Sequence, residues 1–235
     1  MTTTLITGAN KGLGRETARR LLAAGHTVYI GARDEARGRA AAADLGARFV
    51  HIDVTDDASV TAAAEQIAAD GGLDVLVNNA GVEPRLAGNA IPTAADESVE
   101  DVRATFETNL FGGLRATQAF VPLLLESPAP VIVNVSSGLG SLGMLSDPDG
   151  FTHFYTGLSY PASKAAVNAA TIQLAKAYPT IRVNAVEPGF TDTELNGHTG
   201  TQTVEEGAEI IVRMAQIGPD GPSGTFVSSR GPLPY

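Results

Sequence analysis

The sequence predicts a doubly wound α/β domain: one mainly parallel sheet of about seven strands, with helices on both faces. Three observations carry that reading. Short β-branched runs alternate with helical patterns along all 235 residues. Several of the runs are apolar at consecutive positions, as a strand covered on both faces requires. Glycines stand where helices end and the chain must turn back toward the sheet.

Taken in order, the strands read as "TLIT" (4–7), "TVYIGA" (27–32), "RFVHID" (48–53), "LDVLVNN" (73–79), "PVIVNVSS" (130–137), "IRVNAVEP" (181–188) and "GTFVSS" (224–229). Between them lie helical patterns at 12–24, 34–45, 56–70, 98–126, 159–178 and 203–216. Asp56 and Ser159 sit as N-caps, and Gly25, Gly46 and Gly71 take the left-handed position past helix ends. No linker, repeat or low-complexity tract interrupts the pattern, so residues 1–235 are read as one domain. Two stretches, 137–157 and 191–202, are rich in Gly, Pro and polar residues and follow strand C-termini. Ligands bind at that edge of such sheets.

A net charge of −10 argues against a nucleic-acid or anionic-membrane surface over the whole molecule. Without cysteine there is no disulfide or thiolate chemistry, and the four histidines lack ligand spacing, so no metal is expected. No apolar stretch is long enough to span a bilayer. The opening "MTTTLITG" lacks the regions of a signal peptide, and the expected location is the cytoplasm.

Charge is uneven, however: residues 1–39 hold seven Lys/Arg and three acids. There, "TGANKGLG" (7–14) joins the first strand to the first helix with Gly8, Gly12 and Gly14. The first glycine permits the turn, the second lets a pyrophosphate approach the backbone, and the third lets helix and strand pack closely. The helix N-terminus then offers free N–H groups to phosphate. The second strand ends in Ala32 and Arg33, where an NAD-binding turn carries an acid and an arginine suits a 2′-phosphate. Lys11 and Arg33 are therefore read as a clamp for the 2′-phosphate of NADPH; the alternative is two solvated surface charges.

In "SYPASKAAVNAA" (159–170), Tyr160 and Lys164 lie at i, i+4 on one helical face. A lysine beside a phenol favours phenolate, making Tyr160 a general acid able to protonate a carbonyl oxygen.

With these motifs in order, from "TGANKGLG" through "NNAG" (78–81), "VNVSS" (133–137) and "YPASK" (160–164) to "EPGFTDT" (187–193), the chain resembles the short-chain dehydrogenase/reductase family. The likeness is to its compact, Rossmann-type, single-domain form and especially to the carbonyl reductase branch. The resemblance implies the following roles. Tyr160 is the catalytic acid/base, and Lys164 lowers its pKa and bonds the nicotinamide ribose. Ser137 holds the substrate carbonyl, and Asn109 positions a water for proton relay. Gly8, Asn10, Lys11, Gly12, Leu13 and Gly14 form the cofactor turn. Asp53 and Val54 lie at the adenine, and Asn79 and Gly81 at the adenosine ribose. Pro188, Gly189, Thr191 and Thr193 contact nicotinamide and pyrophosphate. Ser136, next to Ser137, is expected on the opposite face. Asp53 capping its own loop, Asn79 bracing a strand end and Asn109 as an interhelical hydrogen-bonder are the structural alternatives.

Two departures from the family stand out. Ser137 and Tyr160 are unusually far apart, with "SDPDGFTHFYTG" as the extra length, so monomer, dimer and tetramer all stay open. The segment after Thr193 is short and predicts a poorly covered pocket with broad specificity. Leu139, Met144, Phe151, Phe154 and Phe190 point to an apolar ligand, with plain packing as the alternative. The expected function is NADPH-dependent reduction of aldehydes or ketones. A non-catalytic NADP(H) sensor and a sugar-nucleotide epimerase are the rivals.

Overall fold

A computed structural model describes residues 1–235. Eight strands form one sheet: β1 (Thr3–Thr7), β2 (Thr27–Ala32), β3 (Arg48–His51), β4 (Val75–Asn78), β5 (Val131–Val135), β6 (Arg182–Glu187), β7 (Phe226–Ser228) and β8 (Gly231–Pro232). Their order is β3-β2-β1-β4-β5-β6-β7-β8, parallel except for the last pair. The seven expected strands are all present. The eighth is a two-residue antiparallel return from β7, too short to leave a periodic trace in sequence.

Eight helices flank the sheet: α1 (Gly12–Ala23), α2 (Glu35–Leu45), α3 (Asp57–Ala69), α4 (Val99–Phe106), α5 (Gly113–Leu124), α6 (Leu142–Ser146), α7 (Ser159–Ala177) and α8 (Val204–Ala215). The core is split by the sheet into two halves. Along β1, Leu5 and Ile6 point to opposite faces and belong to different halves. Ile6 joins Val28, Val77 and Val133 against Leu21 of α1 and Ile211 and Met214 of α8. Leu5 joins Leu76, Ile132 and Val183 against Ile67 of α3 and Phe120 and Leu124 of α5. Each such side chain contributes about 1.5–3 kcal/mol when fully buried. This two-sided burial is why the strands read as continuous apolar runs.

The expected cap Asp56 is present, its carboxylate accepting from the N–H groups of Ala58 and Ser59. Gly25, Gly46 and Gly71 have φ of +88°, +70° and +114°. Ser159 is not a cap but the first residue of α7. The Glu97 carboxylate takes its place, accepting from the N–H groups of Leu158 and Ser159 at 2.6 and 3.0 Å. A glutamate far off in sequence stands in where local pattern suggested the serine.

The reading of one helix over 98–126 resolves into α4 and α5 joined by one π-helical turn, Glu107–Gly112. Such turns re-aim side chains and recur at functional sites. Because β1 lies between β2 and β4, the sheet order reverses there, opening a crevice at the strand C-termini. The glycine turn lies at its edge.

Candidate active site

The glycine turn follows β1 directly. Gly8 has φ +65°, and a Cβ on it would lie 3.0 Å from Ala80 Cα. A Cβ on Gly14 would lie 2.6 Å from Asn79 Nδ2 and 2.9 Å from Gly8 O, so α1 packs hard against the strand ends. Gly12, at φ +52°, meets nothing closer than the Thr193 methyl at 3.6 Å. Two glycines are therefore required by packing and the middle one by conformation, leaving its outer side clear. Helices α2, α3, α4 and α8 are each capped by a side chain, from Asp34, Asp56, Ser98 and Thr203. By contrast, α1 begins at Gly12, and Lys11 at its cap position makes no side-chain cap bond. Uncapped N–H groups at a helix start, beside a glycine cradle, fit a phosphate group.

Lys11 forms an ion pair with Glu194, across the crevice from the turn. It shares a groove with Asn10, Arg15 and Arg37. Arg33 lies elsewhere: its carbonyl bonds His51, and its charge helps hold Asp53 below the usual carboxylate range, where hydrogen bonds from Thr55 act more strongly against the cost of burial. The structure thus groups Lys11 with Arg37 and places Arg33 with Asp53. Asp53 accepts from both the N–H and hydroxyl of Thr55, at 2.9 and 2.7 Å, and so shapes its own turn. Val54 is buried, and its side chain fits against Gly112 of the π turn, where a Cβ would meet it at 2.7 Å.

Asn79 donates to the carbonyls of Thr7 and Gly8, bracing the glycine turn from β4. Gly81 lies between Asn109 and Lys164: a Cβ there would stand 3.4 Å from Asn109 Oδ1 and 3.6 Å from Lys164 Nζ. Asn109, in the π turn, is buried. Its Oδ1 accepts from Val82 N–H at 2.8 Å, and its Nδ2 donates to Val82 O and to Ser163 Oγ at 2.9 and 3.0 Å. The interhelical bond anticipated as a structural role is therefore real, and it fixes the segment after β4 against α7.

Tyr160, Lys164 and Ser137 converge. Lys164 Nζ lies 5.5 Å from the centre of the Tyr160 ring and donates to Val135 O at 2.8 Å. Ser137 Oγ lies close enough to the Tyr160 hydroxyl to act on its charge, and it accepts from Leu139 N–H at 3.2 Å. Ser136 is buried on the other side, its hydroxyl toward Lys164 O, as strand alternation requires. The electrostatics depart from the sequence expectation. Burial, reinforced by the Glu83 and Glu187 carboxylates, holds Tyr160 above the ordinary phenol value; Ser137 opposes this. Burial also lowers Lys164 to about 8. Pairing by sequence spacing captures the lysine's proximity but not desolvation, which penalises both charged forms.

Past β6, Gly189 has φ +83° and packs under Gln202, whose amide lies 2.4 Å from where a Cβ would be. Gln202 donates to Pro188 O and to Thr191 Oγ1. Thr193 begins a short turn in which Asn196 is buried and donates to Thr191 O at 2.8 Å. The 191–202 segment is short, as expected, yet knit by its own hydrogen bonds. Phe151, Phe154 and Phe190 are 72%, 79% and 50% exposed, and Met144 contacts the Gly138 side of the site.

Sequence reasoning left Arg37 near the clamp without an assignment and missed Glu194, Gln202 and the acids Glu83 and Glu187. Burial raises Glu187, whose carboxylate accepts from the N–H group of Gly189 at 2.8 Å. A glutamate in the run "VEPG" was the available signal, since a charge ending a buried strand is out of pattern.

Comparison with known proteins places this site in context. The family model described as "short chain dehydrogenase" matches residues 2–204. The chain is 36% identical to a (+)-neomenthol dehydrogenase of Arabidopsis thaliana, covering 96% of this chain and 95% of the relative. It is 34% identical to a (−)-isopiperitenone reductase of Mentha piperita, covering 94% of each. Among solved structures, salutaridine reductase from Papaver somniferum aligns with a TM-score of 0.85 at 31% identity, over 96% of this chain and 99% of that one. An NADPH-bound carbonyl reductase from chicken fatty liver aligns with a TM-score of 0.86 at 28% identity, over 100% and 99%. With that model matching most of the chain and relatives above 30% identity along nearly all of it, the chain belongs to the short-chain dehydrogenase family.

Proposed function

We propose that this protein is an NADPH-dependent reductase of aldehydes or ketones, working reversibly on the corresponding alcohols. The observation that carries the reading is the convergence of Ser137, Tyr160 and Lys164 at the crevice where the uncapped α1 N-terminus and glycine cradle fit a dinucleotide. Names of relatives support it: a (+)-neomenthol dehydrogenase and an NADPH-bound carbonyl reductase.

The cofactor, when bound, supplies the hydride. Pyrophosphate would be held by the backbone of Gly12, Leu13 and Gly14, with Thr191 and Thr193 closing the turn opposite. Asp53 and Val54 would lie toward adenine, and Asn79 and Gly81 would support the adjoining ribose. A 2′-phosphate would draw Lys11 and Arg37 from the groove, with Arg33 at the end of β2. Lys11 would exchange Glu194 for the phosphate.

The chain's own chemistry concerns one proton and one oxygen. Ser137 donates to the substrate oxygen and orients it. Tyr160, kept protonated by burial, delivers its proton as negative charge builds on that oxygen. Lys164, held by Val135 O, supports the charge left on the phenol. Asn109 holds the Val82 segment and so the wall beside Lys164.

Titration of NADPH and NADH into the protein, followed by cofactor fluorescence, tests the cofactor reading. Preference for NADPH with turnover of carbonyl compounds is the expected result. Equal binding would remove the 2′-phosphate clamp; binding without any turnover would favour the sensor.

A further inference from the structure

Glu83 and Glu187 are two acids just past the C-termini of β4 and at that of β6, and they are satisfied differently. Glu83 follows the "NNAG" run, and its side chain is only 7% exposed. One carboxylate oxygen accepts from the Tyr155 hydroxyl at 2.7 Å, and the other is paired with Arg85. Arg85 in turn donates to Asn89 O at 3.2 Å, and Asn89 donates to Asn196 O at 3.0 Å. These bonds make a polar strap joining three separate stretches: the lead-in to α7, the segment after β4, and the short segment after Thr193. The charge of Glu83 is answered within the chain.

That of Glu187 is not. Strand alternation puts its side chain on the same face of β6 as Val183, the half of the core that α3, α5 and α7 cover. Helix α7 carries Tyr160 and Lys164. One Glu187 oxygen accepts from Gly189 N–H at 2.8 Å, but the carboxylate belongs to none of the ion pairs of the molecule. Burial raises its carboxyl, against the Gly189 bond and the charge of Arg230, an exposed residue between β7 and β8.

The surroundings of Glu187 point to what would answer it. A Cβ on Gly138 would lie 3.4 Å from Met144 Cε, 3.6 Å from Phe151 Cζ and 3.7 Å from Glu187 Cγ. A thioether, an aromatic edge and an acid thus meet at one spot, on the residue directly after Ser137. The Phe151 ring is 72% exposed and open to a ligand. A part-buried carboxylate without a cation keeps an unmet charge. An ammonium group there gains from the acid and from the ring face together. The net charge of −10 draws cations to the molecule as a whole.

We propose that Glu187 is a specificity-determining residue: with Met144 and Phe151 it forms a subsite for an ammonium group, so that the preferred substrates are carbonyl compounds carrying a cationic amine. This rests on the reductase reading above, which puts the carbonyl oxygen on Ser137. Consecutive residues stand about 3.8 Å apart, so the amine would lie about one small ring away from the carbonyl. An uncharged apolar ligand would cover Met144 and Phe151 and leave Glu187 unanswered.

The test uses two ketones of one shape: a quaternary dimethyl-oxopiperidinium, and the dimethylcyclohexanone in which carbon replaces the charged nitrogen. The readout is the ratio of kcat/KM for the cation to that for the neutral ketone, which cancels effects common to both. In Glu187→Gln, which keeps an acceptor for Gly189, the ratio should fall about tenfold or more relative to the parent. Met144→Lys sets a cation of the chain's own against Glu187 and should lower the ratio likewise, without altering the carboxylate. Calorimetric titration with dimethylpiperidinium, which has no carbonyl, reads the subsite without turnover; binding to the parent should weaken about tenfold in both variants. Equal ratios in the parent and the folded variants, or no binding of dimethylpiperidinium to the parent, would overturn the proposal. Absence of turnover of any carbonyl compound by the parent would instead overturn the reductase reading, with the calorimetry deciding the cation subsite separately.

Discussion

The two sides of the crevice are built differently. On the cofactor side, position is set by backbone: Gly8 and Gly14 let β1, α1 and β4 close on one another, and Asn79 bonds two carbonyls of the turn. On the substrate side, position is set by side chains: the strap from Tyr155 to Asn196, the Gln202 bonds over Gly189, and the Asn109 clamp on Val82. Backbone geometry tolerates almost any side chain around it provided the glycines stay. Side-chain networks change whenever one member changes. The cofactor half is therefore the constant platform of this molecule and the substrate half its adjustable part.

Six substitutions would sharpen or break that contrast, beginning with the largest effect. Tyr160→Phe should lower kcat by about 10²–10⁴-fold while leaving NADPH affinity unchanged, measured by steady-state kinetics and fluorescence titration. Loss of both together would mean that the two halves are not separable. On the cofactor side, Lys11→Ala should weaken NADPH binding by about 10–100-fold with little effect on NADH, since one charge-assisted hydrogen bond is lost. Glu194→Gln should do the reverse by a smaller factor, because the exposed pair it breaks is itself weak.

Gly14→Ala should cost about 1–3 kcal/mol in urea unfolding, because its Cβ would meet backbone that has no room to move. Lys164→Met tests the buried ammonium. The folded-state value of about 8 lies below the 10.5 of an ordinary lysine, so the folded protein resists protonation there. The burden is full below pH 8 and is relieved as pH rises toward 10.5. Thermal melts should show the parent gaining on Lys164→Met across that window; a constant difference would place the ammonium in a more polar setting than its burial implies. Smallest of all, Phe154→Ser should alter stability by less than about 0.5 kcal/mol, since the ring is exposed.

Much of this was legible from the chain. Strands and helices announce themselves because both sheet faces are covered, so burial writes continuous apolar runs and helical periods. The glycine turn and the Tyr160–Lys164 pair follow from short-range geometry, while Ser137 came only through the family resemblance. Ser159 shows the limit: a good local cap lost its place to Glu97, a contact no window of sequence contains. Arg37 shows another, since nothing in the local pattern says that it shares a groove with Lys11 and Glu194.

What the sequence by itself determined is the fold and the crevice, both consequences of periodicity and near-neighbour spacing. What only the tertiary structure decided is the charge environment of the Tyr160–Lys164 pair: which acids lie beside Tyr160, how far Lys164 is desolvated, and which residues tie the neighbouring segments together. The physical reason is that desolvation and Coulomb energy depend on three-dimensional surroundings, and Glu83, Tyr155 and Glu187 come from three widely separated segments to make one environment.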